Sequence, residues 1–98
     1  MDRIYKALAE VNRRKIIFWL RTGELNVSQI VKKLDLSQAT VSNHLSILRK
    51  SKLVDYRVSG KERIYKLNLE TVNNFVKELN RLMPTNITSL ENEIIIRR

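Results

Sequence analysis

The 98-residue chain has no cysteine and only one histidine. Without cysteine there is no disulfide, no thiol redox sensor and no thiolate metal site. A lone His44 cannot by itself build a zinc site or a Ser-His-Asp triad. Catalysis is thereby disfavoured, with carboxylate-only chemistry left formally open. No apolar run approaches the roughly 20 residues of a membrane span. The opening stretch, MDRIYKALAE, is an amphipathic helix start without the charged, apolar and small-residue order of a signal peptide, so a cytoplasmic location is expected. Internal repeats, low-complexity tracts and linkers are lacking as well.

What is present is a small globular composition with an uneven charge. Apolar residues make up 43% of the chain, which is enough for one domain near the lower size limit for burying a core. The net charge is +9, and all of it belongs to residues 1–69, which carry fifteen Lys/Arg and six Asp/Glu. Residues 70–98 hold four of each. A basic first two thirds suggests a polyanionic partner, nucleic acid being the commonest, although a generally basic protein would look the same.

Apolar periodicity gives the element order. Ile4 and Leu8 mark a short first helix. EVNRRKIIFWLRTG is the second, with Ile16, Ile17, Trp19 and Leu20 on one side and Gly23 as its stop. Phe18 points away from that stripe, so it is either covered by something else or left exposed. A third helix starts near Asn26 or Val27 and buries Val27, Ile30, Val31 and Leu34, with Lys32 and Lys33 outside. LDLS then makes a tight connection, and Ser37 is a good N-cap for SQATVSNHLSIL. Two helices so closely joined fit a helix-turn-helix. In LVDYRVSGKERIYKLN, Val54, Tyr56 and Val58 alternate with Asp55 and Arg57, Ser59-Gly60 supplies a turn, and residues 64–67 return as a second strand. LETVNNFVKELNRLM is a last long helix that Pro84 ends. The expected fold is mainly α with a β-hairpin, ordered α-α-α-α-β-β-α, a winged helix-turn-helix. It is assigned to residues 1–83, with 84–98 a tail of unassigned structure. In the tail, Thr88 and Glu91 sit at capping-box spacing before three isoleucines, which could cover Phe18 or a partner's last helix.

ALAEVNRRKI, GELNVSQI, LSQATVSNHLSILRKSKLV and RIYKLN, in that order and spacing between about Lys6 and Asn68, resemble the ArsR/SmtB family of bacterial and archaeal repressors. The resemblance implies a homodimer that binds pseudo-palindromic double-stranded operator DNA and blocks transcription. It makes SQATVSNHLSILRK the recognition helix and the hairpin the wing, and it places the first and last helices at the dimer interface. Many members release DNA when a metal or thiol-reactive agent binds, and here the chain departs. Where metal-responsive members carry cysteines, this chain has Asn26 and Ser28. Where others place Asp and His on the last helix, it has Glu70, Asn73, Asn74 and Glu78. Carboxylates without imidazole or thiolate make a poor transition-metal site, so no metal and no cofactor is expected. A second departure is Glu10-Val11-Asn12, where members often have Asp-Pro-Thr, and a looser junction between the first two helices is expected there.

The exposed side of the helix from Ser37 fits this reading. It carries Gln38, Ala39, Thr40, Ser42, Asn43 and Ser46, short and uncharged, where an ordinary solvated helix carries Glu and Lys. Such a surface can approach base edges without repelling phosphate. Asn43 and Gln38 suit bidentate contacts to adenine, Ala39 leaves room for a thymine methyl, and the hydroxyls reach bases or phosphates. Arg49, Lys50 and Lys52 after the helix, and Arg57, Lys61 and Arg63 at the wing, suit phosphate. His44 reads as a partly buried histidine bonded locally or to phosphate, ahead of a pH switch or a metal ligand. Tyr56 and Tyr65 read as hairpin packing ahead of stacking on bases. The stripe of Val72, Phe75, Leu79 and Leu82, with Ile4 and Leu8, is too wide for a surface helix of so small a domain and is expected to be a dimer interface. Weighed beside this reading are a winged-helix module that binds protein or nucleic acid without sequence preference and a repressor with a small-molecule effector at the dimer interface.

Overall fold

The computed structural model describes residues 1–83. The Thr88 and Glu91 pair and the isoleucine run lie outside the described residues. Helix α1 (Asp2–Leu8) meets α2 (Val11–Leu20) at a tight junction. A short strand β1 (Leu25–Asn26) leads into α3 (Val27–Leu34), which is followed by α4 (Gln38–Lys50). Strands β2 (Val54–Ser59) and β3 (Glu62–Leu67) form the hairpin, and α5 (Leu69–Leu82) is the last described element. One cluster joins the helices to the hairpin, with Ile16, Ile30, Val41, Leu45, Leu48 and Val54 fully buried at its centre.

The junction of α1 and α2 is firmer than the sequence suggests. Glu10 adopts extended backbone and turns its own carboxylate back as the N-cap, where it accepts from the amides of Asn12 at 2.8 Å and Arg13 at 3.2 Å. Arg13 Nε donates to the Ala7 carbonyl at 2.6 Å and Arg13 Nη2 to that of Lys6 at 3.3 Å. Arg14 Nη1 donates to Leu8 O at 2.7 Å. Two consecutive arginines thus bond the last carbonyls of α1, of which that of Lys6 also accepts from the Ala9 amide at 3.2 Å.

The turn between α3 and α4 depends on Asp35, which closes α3 in the left-handed region at φ 54°, a conformation that Asp tolerates better than most residues. Ser37 then caps α4 by accepting from Thr40 N at 3.1 Å.

The sheet differs from expectation in two respects. It has three antiparallel strands in the order β1-β3-β2, because Leu25 pairs with Tyr65 and Asn26 with Ile64. A two-residue strand is too short to show alternation in sequence. The hairpin turn is Gly60-Lys61, one residue later than expected, since Ser59 already pairs with Glu62 and Gly60 takes φ 63°. In α5, Asn68 caps the start by accepting from Thr71 N at 3.2 Å, and the helix ends as Met83 turns extended before Pro84.

Candidate nucleic-acid interface

Helix α4 has two unlike sides. Val41, His44, Leu45 and Leu48 face the core and are buried. On the outside, Gln38, Ala39, Thr40, Ser42 and Asn43 are exposed and Ser46 is half-buried. The Ser37 hydroxyl donates to Thr40 Oγ1 at 2.9 Å, which anchors Thr40 to the cap. The remaining outer side chains make no hydrogen bonds among the described residues.

This outer side opens onto a cleft of about 370 Å³ between α4, the start of α3 and the wing. Gln38, Ser42, Ser46 and Arg49 line it from α4, and Lys61, Arg63 and Tyr65 line it from the hairpin. Asn26, Val27, Ser28 and the acidic Glu62 complete the wall, a role that sequence reasoning missed. Asn26 is held there by a capping box with Gln29, two bonds of 2.8 Å, and donates to Glu62 Oε2 at 3.2 Å. Among the described residues, Arg49, Lys61 and Arg63 have no carboxylate within ion-pair distance. The Arg49 and Arg63 guanidinium carbons stand 5.5 and 4.6 Å from the centre of the Tyr56 ring. Interaction with the Tyr65 hydroxyl, and with Tyr56, holds Arg63 above its usual basicity.

Three of the expected cations, Lys50, Lys52 and Arg57, do not line the cleft. Arg57 pairs with Ile64 across the hairpin while Tyr56 pairs with Tyr65, so it points from the opposite face, where it binds Glu24 at 3.0 Å. Lys50 turns away from the cleft to a shallow groove that it shares with Arg3 and Lys6 of α1. Ala39, Thr40 and Asn43 stay on the exposed helix surface beside the cleft and do not line it.

Behind the reading side lies a polar contact with α2. His44, 8% exposed, accepts at Nδ1 from Arg13 Nη1 at 3.1 Å, because a guanidinium can only donate. Its proton is therefore on Nε2, which faces Glu10 Oε2 at 3.8 Å. The bond goes to a distant helix rather than to a near neighbour. Desolvation pushes the Glu10 carboxyl upward, but the amides of Arg13 and Asn12, the neighbouring His44 ring and the charge of Arg13 outweigh it. Its pKa falls below the ordinary 4.5. No three His, Cys, Asp or Glu side chains come together as a metal cluster among the described residues.

The described residues leave the apolar stripe of α5 largely uncovered. Val72 and Phe75 pack partly on the core, and Phe75 meets Tyr5 edge-on at 5.4 Å, but no residue of α5 is buried. Leu8 and Leu79 are half-buried and Leu82 is exposed. Ile4 differs from the rest of the expected interface. At 6% exposure it belongs to the protomer's own core and has almost no surface to offer a partner. Phe18 stays exposed, with the Arg21 guanidinium 4.1 Å above its ring.

A helix-turn-helix carrying a hairpin wing, with an uncharged reading side flanked by cations, defines a winged helix-turn-helix transcriptional regulator. Comparison with known proteins narrows the class. The model of the arsR family of bacterial regulatory proteins matches residues 10–56. The HTH-type transcriptional regulator Rv2034 of Mycobacterium tuberculosis is 39% identical over 67 residues, which is 68% of this chain and 63% of that regulator. The transcriptional activator HlyU of Vibrio cholerae is 34% identical over 81% of this chain and 73% of its own length. Its solved structure superposes with a TM-score of 0.69 at 32% identity, covering 85% and 90% of the two chains. The homodimeric winged helix-turn-helix DNA-binding domain Mb0332 of Mycobacterium bovis, solved by NMR, gives a TM-score of 0.66 at 26% identity over 87% and 83%. The chain belongs to the arsR family. No helix among the described residues is long and apolar enough to cross a membrane.

Proposed function

We propose that this protein is a homodimeric, non-enzymatic repressor that acts in the cytoplasm on a pseudo-palindromic double-stranded DNA operator. Each α4 reads one major groove, and the two lie about one helical turn apart. The wing grips the backbone, and α1 and α5 join the protomers through Leu8, Val72, Phe75, Leu79 and Leu82. Repression needs no metal or cofactor and follows the protein's own concentration. The observation that carries this reading is the exposed, uncharged outer side of α4 opening onto a cleft with three cations that no carboxylate engages among the described residues. DNA phosphates supply the ion-pair partners that these three cations lack, and amide and hydroxyl side chains suit base edges.

The test is a titration of the duplex upstream of the protein's own gene against a scrambled duplex of equal length, at fixed salt. Tighter binding of the upstream duplex, and reduced transcription from it in vitro, are expected. Equal binding of both duplexes overturns the reading. Preference with raised transcription overturns only the sign of regulation, which matters because the relative HlyU is an activator.

A further inference from the structure

Two cations of the cleft share an arrangement that their charge does not explain. Arg49 projects from the last turn of α4 and Arg63 from the wing, yet both guanidiniums lie against one ring, that of Tyr56, at 5.5 and 4.6 Å. Like charges gathered at one place repel each other unless something attracts each of them. Among the described residues no carboxylate does so, since Glu62, the acid lining the cleft, accepts from Asn26. The attraction that both share is the negative face of the Tyr56 ring, to which the Tyr65 hydroxyl adds for Arg63 alone. That ring is itself fixed, because Tyr56 sits directly across the hairpin from buried Tyr65, with ring centres 5.3 Å apart. Arg63 reaches it as the diagonal neighbour on the same face of the sheet.

We infer that Tyr56 is a positioning residue, whose ring holds Arg49 and Arg63 as the two arms of a clamp for a single phosphate of the DNA backbone. The inference rests on the DNA-binding reading above. A phosphate entering the cleft supplies the missing counter-charge and takes planar, forked donors from both sides. One arm comes from the reading helix and the other from the wing. Closing on a phosphate therefore fixes the wing relative to the helix, and so fixes the register of α4 on the bases. A contact to phosphate carries no sequence information. Loss of the ring is then felt equally by every duplex.

Binding of the full chain to the upstream and scrambled duplexes, measured across a range of salt concentrations, tests the clamp. Tyr56→Phe keeps the ring and should bind as the wild type does. Tyr56→Leu keeps apolar bulk but loses the π face. It should weaken both duplexes about three- to tenfold and lower the salt slope by about one, leaving their ratio unchanged. Adding Arg63→Ala to Tyr56→Leu should cost much less than Arg63→Ala alone, because the arm is already loose. Melting curves check that each variant folds. Should Tyr56→Leu fail to fold, Arg49→Lys and Arg63→Lys keep the charge but not the planar stack, and uniform weakening is expected from them too. An unchanged salt slope in folded Tyr56→Leu, strict additivity with Arg63→Ala, or full affinity in both lysine variants overturns the clamp. Wild-type discrimination with any of these results removes the clamp alone. No discrimination, with a slope that still falls in Tyr56→Leu, removes the sequence-specific reading and leaves the clamp.

Discussion

Helices α4 and α5 are nearly equal in length and both are amphipathic, but they finish their burial differently. Three apolar residues of α4, Val41, Leu45 and Leu48, are fully buried within one protomer, and Ile47 packs half-buried beside them. The apolar stripe of α5 contains no buried residue, and Val76 and Leu82 are 47% and 55% exposed. Apolar area left in water is stabilisation not yet realised, at about 25 cal/mol per Å². Helix α4 is complete in itself, which frees its outer side for a polar partner. Helix α5 is complete only against another apolar surface, and in the proposed homodimer a second copy of α5 supplies it.

The largest effect should come from the finished side. Leu48→Ala removes a fully buried side chain and should destabilise the protomer by about 2–5 kcal/mol in urea unfolding. A loss within the surface range of about ±0.5 kcal/mol would mean that α4 does not anchor the core. Leu79→Glu tests the unfinished side. Leu79 is half-buried and does not pack on the central cluster, so the folded protomer should persist. Sedimentation should report a monomer, and affinity for the upstream duplex should fall by about tenfold or more. A dimer that survives Leu79→Glu would place the interface elsewhere and erase the contrast between the two helices.

Within the reading surface the same comparison becomes one of base against backbone. Asn43 is exposed on the outer side of α4, and Lys61 sits at the hairpin turn. Asn43→Ala should cost about 1–3 kcal/mol on the upstream duplex and little on the scrambled one. Lys61→Ala should weaken both alike and lower the salt slope by about one. Competition titration with the two duplexes separates these outcomes. If the two variants exchanged behaviour, the wing rather than α4 would be the reader.

Helix periodicity made most of this fold legible, because Val41, Leu45 and Leu48 repeat at the spacing that a core imposes. Ser37 was readable as a cap because capping is a local hydrogen bond. Less legible were features set by long-range pairing. The two residues of β1 become a strand only because Tyr65 and Ile64 lie beside them. Arg57 looked equivalent to Arg63 by charge, but strand alternation and Glu24 send it to the other face. Ile4 and Leu8 shared one stripe in sequence, yet only Ile4 sinks into the core. Arg13 and Arg14 entered the sequence reading only through the charge of the basic first two thirds, whereas their guanidiniums cap α1 and Arg13 also holds His44. Charge in a sequence shows that a cation exists and leaves open what it touches.

The smallest expected effect separates the inner side of α4 from the outer. Glu10 caps α2 and faces His44 behind the reading surface, and its carboxyl titrates below the ordinary 4.5. A folded-state pKa below the unfolded value means that the contribution is complete above about 4.5 and is lost as the pH falls through the folded value. Glu10→Gln keeps the shape but accepts more weakly from the Asn12 and Arg13 amides and carries no charge toward Arg13 or His44. Its melting temperature should lie slightly below that of the wild type at neutral pH, and the two curves should converge as the pH drops from about 6 to about 3. Discrimination between the two duplexes at neutral pH should be unchanged, since no outer side chain of α4 contacts Glu10. Curves that stay parallel would show that the charge of Glu10 contributes nothing to the fold. Lost discrimination would show that the inner network sets the orientation of the reading side, and the two sides of α4 would then be one unit.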